Sequence, residues 1–347
     1  MAANQTLVIT PRTGSGPGTD SSIPLTYLEN TSRTPSSEND SLASEVPRLQ
    51  KTILVIQLSG VTFFCSVING LVIIGLPAIS KDLELPSSLA FWPASVSGLA
   101  TASSLLLTGS VTDAVGPRWV GSVGSFACGG LTIGAGVSRK GTELVAMRAL
   151  QGVGLSLHLA SSVALVTQVF PQGKSRNLAF SFLGLSQPFG FSVGLVLGGV
   201  LVDTVGWRVG WYISGASMLL LSFVGLWAFP KGQDKRSFKE IVQDMKSKVD
   251  WVGAMLASSF MALLCYLLAV LSTDVYRIKE PGSITLLCLS TITLPCFLLW
   301  VHRQVCRGKP ALIPNSLWRN ATFSSICVII ALSFAVINSM ELFASLL

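Results

Sequence analysis

Nine stretches of the chain are almost continuously apolar, at about residues 53–76, 89–109, 119–137, 144–169, 178–201, 209–229, 251–271, 283–301 and 321–345. Each is about the length at which a helix, rising roughly 1.5 Å per residue, crosses a bilayer core of about 30 Å. Lipid offers no partner to an unpaired backbone group, so apolar runs of this length predict helices rather than loops. The fold class expected is an all-α polytopic membrane protein.

The polar stretches between and before these runs set the organisation. Residues 1–50 are rich in Ser, Thr, Pro, Asn and Gly without apolar periodicity, which predicts a disordered tail. Leu7-Val8-Ile9 is too short for the apolar region of a signal peptide. Residues 51–230 hold six spans, 231–250 a basic linker, 251–320 two further spans with a loop, and 321–347 one more span. In the linker, Phe238, Ile241, Val242, Met245 and Val249 share one helical face, with Lys239, Lys246 and Lys248 at polar positions. Two readings fit it: an amphipathic helix on the inner leaflet, or a solvated connection between bundles.

Composition agrees with the pattern. Half the residues are apolar and 12% are charged, against about a quarter charged in ordinary soluble domains. The net charge of +7 does not point to nucleic acid, because Lys and Arg sit in short loops beside apolar runs. With the N-terminus in the cytosol, 17 of the 24 Lys and Arg fall on the cytoplasmic side. The positive-inside rule therefore predicts a cytosolic N-terminus. The seven cysteines are scattered without a CxxC pair, so neither a disulfide framework nor a metal site is expected. Sequons occur at Asn4, Asn30, Asn39 and Asn320, the first three on a tail placed in the cytosol.

Three motifs carry candidate chemistry. Between spans two and three the chain reads Gly109-Ser-Val-Thr-Asp113-Ala-Val-Gly116-Pro-Arg118, where Gly116 and Pro117 supply the turn of a very short loop. A charge at the membrane edge is costly unpaired, so Asp113 is expected to pair with Arg118. Span four opens Arg148-Ala-Leu-Gln151-Gly152-Val-Gly154, and an arginine inside a span is a functional candidate by default. It either faces the interior or snorkels to the nearby surface. Span five carries Gly190, Gly194, Gly198 and Gly199, and the four-residue spacing of the first three makes a flat stripe for close helix packing.

Together these motifs resemble those of the major facilitator superfamily. G-x-x-x-D-x-x-G-x-R is similar to its signature loop, and R-x-x-Q-G-x-G to the motif whose arginine faces the central cavity and is linked to proton coupling. The span-five stripe resembles the antiporter motif, with Leu195 where a proline is expected. Gly206-Trp207-Arg208, followed by Trp211-Tyr212, extends the resemblance; Asp250-Trp251-Val252-Gly253 and Pro310-Ala-Leu-Ile-Pro314 are similar to the fourteen-span drug:proton antiporter branch, and Gly75-Leu76-Pro77, Trp92-Pro93 and Gln187-Pro188-Phe189-Gly190 to its fungal aminotriazole-resistance-like members. It covers about residues 51–347.

The resemblance implies a secondary active transporter that exports small organic molecules, with no cofactor, no enzymatic activity and no metal. Its partners would be a small-molecule substrate, protons and the lipid bilayer, in the plasma membrane or, second, the vacuolar membrane. Arg148, Gln151, Asn69, Gln187, His158, Asn338 and Glu341 are the candidates for the substrate and proton pathway. Val67-Ile68-Asn69-Gly70 stands where the branch usually carries an aspartate, so coupling by that route is not expected. Against the family's two six-helix halves, the chain reads as C-terminally truncated and inactive by itself. The alternative expectation is a non-transporting subunit that associates with a full-length relative.

Overall fold

The structure is a computed structural model that describes residues 46–86, 89, 92–229, 239–240, 243, 245, 249–273, 279–307 and 320–346. The tail expected over residues 1–50 lies almost wholly outside this range. So does most of the 231–250 linker, within which Lys239, Glu240, Gln243 and Met245 are helical. The described residues form nine helices and no strand. They are α1 (Arg48–Asp82), α2 (Trp92–Val115), α3 (Pro117–Val137), α4 (Gly141–Val169), α5 (Lys174–Thr204), α6 (Trp207–Ala228), α7 (Trp251–Thr273), α8 (Pro281–Cys306) and α9 (Ala321–Leu346).

Each predicted span coincides with one helix. Seven of them, α1 to α6 and α8, are long and apolar enough to cross a membrane. The described apolar parts of α7 and α9, Trp251–Leu267 and Ala321–Ser333, are shorter. Several helices overrun their apolar runs. At 35 residues α1 is roughly 52 Å long, well beyond the bilayer core, because helical backbone satisfies itself as well in headgroups as in lipid. The chain reverses between α2 and α3 at Gly116, whose φ of 106° only glycine adopts without strain. Pro117 then starts α3, where its missing N–H costs nothing.

α1 packs most extensively on α5, and α4 lies between α2 and α3, with α6 against α1 and α3. Because α4 is enclosed, side chains on several of its faces enter the interior. The glycine stripe explains the closeness of α1 and α5. A methyl group on Gly190 would sit 2.4 Å from the Phe63 carbonyl oxygen, and one on Gly194 2.3 Å from that of Val67. Gly70 answers from α1, where a methyl group would sit 2.5 Å from the Phe191 carbonyl oxygen. Gly198 is looser, its nearest neighbour being Ile74 at 3.1 Å, and nothing lies within 4 Å of Gly199. Such close approach gives dispersion contact where the hydrophobic effect between helices is absent.

Beyond the bundle, α7 packs on α8 and on α2. Asp250 begins α7: its Oδ1 accepts the Gly253 N–H and the Trp300 Nε1–H of α8, each at 2.9 Å. A methyl group on Gly253 would meet the Asp250 carboxylate at 2.3 Å, so the D-x-x-G spacing leaves room for the cap. The described residues of α9 include no buried one.

Candidate substrate site and conformational motifs

Arg148 starts two turns into α4, and its side chain has no exposed surface. The snorkelling alternative is thereby excluded. Its Nε–H donates to the Pro93 carbonyl of α2 at 3.1 Å, Nη1 to Gln151 Oε1 at 2.8 Å, and Nη2 to Asn69 Oδ1 of α1 at 2.9 Å. The Trp211 ring of α6 lies 5.6 Å from the guanidinium carbon, within cation–π range. Gln151 passes the network on, donating from Nε2 to Thr132 Oγ1 of α3 at 2.7 Å. Thr132 in turn donates to the Cys128 carbonyl. Five helices thus meet at one cation, and none of its three acceptors is a carboxylate.

Each fixed position of R-x-x-Q-G-x-G has a physical task here. Arg148 and Gln151, three apart, stand on one face and bond each other. Gly152 admits α2, since a methyl group there would sit 2.3 Å from the Ser97 carbonyl oxygen. Gly154 admits α3 at Ala127 and Cys128. Thr101 on α2 then donates to the Gly152 carbonyl at 3.0 Å.

His158 forms a second buried cluster, ten residues further along α4 and so about 15 Å away. Its ring touches Ser125 of α3 (3.0 Å to Nδ1), the Leu58 carbonyl (3.1 Å to Nε2) and Thr62 (3.3 Å to Nε2) of α1. Gln57 donates to Ser125 at 3.3 Å.

Of the sequence-derived candidates, Asn69, Arg148 and Gln151 come together, and His158 stands apart. Gln187 is exposed on α5, one residue off the buried row of Ser186, Gly190, Gly194 and Gly198. Asn338 and Glu341 belong to α9, but their side chains lie outside the described residues. As site residues, Pro93, Thr132 and Trp211 escaped the sequence reading. Pro93 contributes a backbone carbonyl and Trp211 a ring face, and neither residue's place in a motif says that it meets an arginine.

The expected Asp113–Arg118 ion pair does not form. Asp113 is exposed near the end of α2, where water and headgroups can solvate it, and Arg118 instead lies 6.0 Å from the Trp119 ring. Gly109 meets nothing within 4 Å. Arg208 instead forms an ion pair with Asp82, which also accepts the Trp207 Nε1–H at 3.2 Å. Arg208 further donates to the Ser138 carbonyl at 3.4 Å, so the clasp joins the ends of α1 and α3 to the start of α6. Beside it lies an open pocket of about 340 Å³ lined by Asp82, Glu84, Arg139 and Lys140 among others, well away from Arg148.

Comparison with known proteins identifies the family of the fold. The chain is 36% identical over 326 residues to MFS-type transporter 1 of Pyricularia oryzae, covering 86% of this chain and 53% of that protein. It is 29% identical over 240 residues to the puromycin resistance protein pur8 of Streptomyces alboniger, covering 69% and 45%. The chain thus spans about half the length of the curated relatives it matches. A crystal structure of a peptide transporter POT mutant in complex with alafosfalin shares the fold, with a TM-score of 0.50 at 15% identity, over 70% of this chain and 56% of that one. The model of the Major Facilitator Superfamily matches residues 58–347. By that match, the chain belongs to the major facilitator superfamily.

Proposed function

We propose that the chain is part of a secondary transporter that exports small organic molecules, in the manner of the fourteen-span drug:proton antiporter branch. The observation that carries the reading is the Arg148 centre. A buried guanidinium held only by neutral oxygens is tolerable but costly. It retains an uncompensated positive charge in a low-dielectric interior, where a substrate's charge or a proton elsewhere in the bundle feels it strongly. A purely structural arginine would be cheaper to replace by an apolar side chain. The puromycin resistance of one relative fits export of an organic drug.

Asn69 and Gln151 hold the guanidinium in this reading, and Gln187, Asn338 and Glu341 remain substrate-path candidates. The N-terminal side of α1 is cytosolic, in keeping with the Lys and Arg distribution, and the plasma membrane is the site of action.

Cells expressing the protein test the reading, with retention of puromycin and a panel of other small organic drugs followed over time. Expression of the chain extended to the full length of the relatives it matches should lower retention of at least one compound. Arg148→Ala should cut its efflux by about tenfold or more, because charged hydrogen bonds are worth about 1.5–3 kcal/mol each. Arg139→Ala, at an exposed position next to α4, should change it little. Undiminished efflux with Arg148→Ala would overturn the assignment.

A further inference from the structure

The cluster around His158, a pathway candidate by sequence, holds a pattern that the Arg148 centre does not use. A carbonyl can only accept, so the 3.1 Å contact with Leu58 places a hydrogen on His158 Nε2. The opposite nitrogen, Nδ1, then bears a lone pair and accepts the Ser125 hydroxyl at 3.0 Å. Ser125 Oγ accepts the Gln57 amide N–H at 3.3 Å. The chain of donors therefore runs in one direction: Gln57 to Ser125, Ser125 to His158, His158 to Leu58. It leaves one loose end, since Gln57 Oε1 is buried without a hydrogen-bond partner.

That loose end makes the chain reversible. If Nδ1 takes a proton, its new N–H can donate to Ser125 Oγ. The serine hydroxyl must then turn away, and Gln57 can receive it by turning its amide so that Oε1 faces Ser125. Both N–H groups of the imidazolium keep acceptors already in place, Leu58 and Ser125. A half-turn of one amide and a rotation of one hydroxyl are all that is needed. A histidine serving only as a packed hydrogen-bonding residue has no use for a spare acceptor two groups away, and an orphaned buried acceptor is costly by itself.

We infer that His158 is a proton-binding site of the bundle, with Ser125 and Gln57 as a relay whose hydrogen bonds reverse when the ring is protonated. The step balances simply: hydronium gives one proton to Nδ1 and leaves as water. The groups facing the ring are Gln57, Leu58 and Thr62 from α1, Ser125 from α3, and Ser162 from α4 itself, none of them charged. The nearest ionisable side chains along these helices are Cys65 and Cys128, one turn from Thr62 and Ser125, and then Lys51, Arg118 and Arg148, six to ten residues away. This inference rests on the transport reading only for its consequence, that the bound proton couples to transport in a chain without an acid in α1's apolar core.

Nitrogen-15 labelling of histidine in the full chain, held in lipid nanodiscs, reads the ring directly. The chain has two histidines, His158 and His302, so His302→Gln leaves one set of signals. At about pH 8 the hydrogen should reside on Nε2 alone; on stepwise acidification both ring nitrogens should become protonated, reversibly and with helix content unchanged. Gln57→Leu, which leaves Ser125 nowhere to turn, should reduce the doubly protonated signal severalfold. A ring that keeps one hydrogen throughout, while His302 titrates in the unmodified chain, would overturn the proposal. So would a Gln57→Leu chain that folds and titrates like the parent. If that variant does not fold, the parent titration decides. The measurement involves no substrate, so failed efflux would not remove a titrating His158, and a silent His158 would leave the efflux reading standing.

Discussion

The α1–α5 seam and the α7–α8 junction both hold two helices side by side, by opposite means. Along the seam, Gly70, Gly190 and Gly194 bring backbone against backbone over about two turns, and beside them the Phe63 and Phe189 rings meet at 5.7 Å. At the junction, one carboxylate at the start of α7 takes a tryptophan N–H from α8 while capping its own helix. The seam has no single contact to lose, yet it has no room for one more carbon atom. The junction adds to ordinary helix packing a polar clasp of a few atoms, placed at a helix end. Contact made of shape is intolerant of addition; contact made of hydrogen bonds is intolerant of removal.

The largest effect is expected where the seam is tightest. Gly194→Ala would force a methyl group against the Val67 carbonyl oxygen, and overpacking of this kind costs about 1–3 kcal/mol. Gly199→Ala, with open space around it, should leave the unfolding midpoint in detergent unchanged or slightly raised. Equal midpoints for the two variants would break the comparison. Next comes the junction: Asp250→Ala should lower stability by about 1–2 kcal/mol through loss of the cap, and should free the Trp300 indole, visible as a change in its fluorescence. A fluorescence change without loss of stability would separate the two roles. The smallest effect is expected at Asp113→Asn, an exposed carboxylate with no ion-pair partner among the described residues, where thermal unfolding should shift by less than about 0.5 kcal/mol. A loss as large as that of Asp250→Ala would mean that Asp113 has a partner after all.

Much of the fold was legible because lipid imposes length and apolarity on each span, which leaves little freedom in reading residues 53–76 or 144–169 as helices. The glycine stripe was legible too, since spacing by four fixes a face before any partner is known. Within the candidate site, Arg148 and Gln151 could be paired from their three-residue spacing on one helix. Asn69 could be marked as well, a polar residue in an apolar span, and it does reach the guanidinium. Pro93, Thr132 and Trp211 converge on the centre from α2, α3 and α6, and nothing local in those segments declares a common destination. Gln187 shows the converse error. A polar residue in an apolar span suggests an inward side chain, yet it lies about 100° round the helix from buried Ser186, outside the packed row. The Asp113–Arg118 pairing failed for a related reason: closeness in sequence was taken for need, although an exposed carboxylate at a helix end already has water.

The clasp between Asp82 and Arg208 has a consequence for biosynthesis. Its two halves are 126 residues apart, so at about 5–20 residues per second a ribosome needs roughly 6–25 s to deliver the second after the first. Throughout that interval four further helices, α2 to α5, must enter the membrane while the end of α1 carries an unneutralised acid. An aspartate can wait that long only in contact with water, which restricts it to the rim. Once α6 emerges with Trp207 and Arg208 at its leading edge, the first and last helices of the bundle are tied together. The closing of the ring is thus timed by translation.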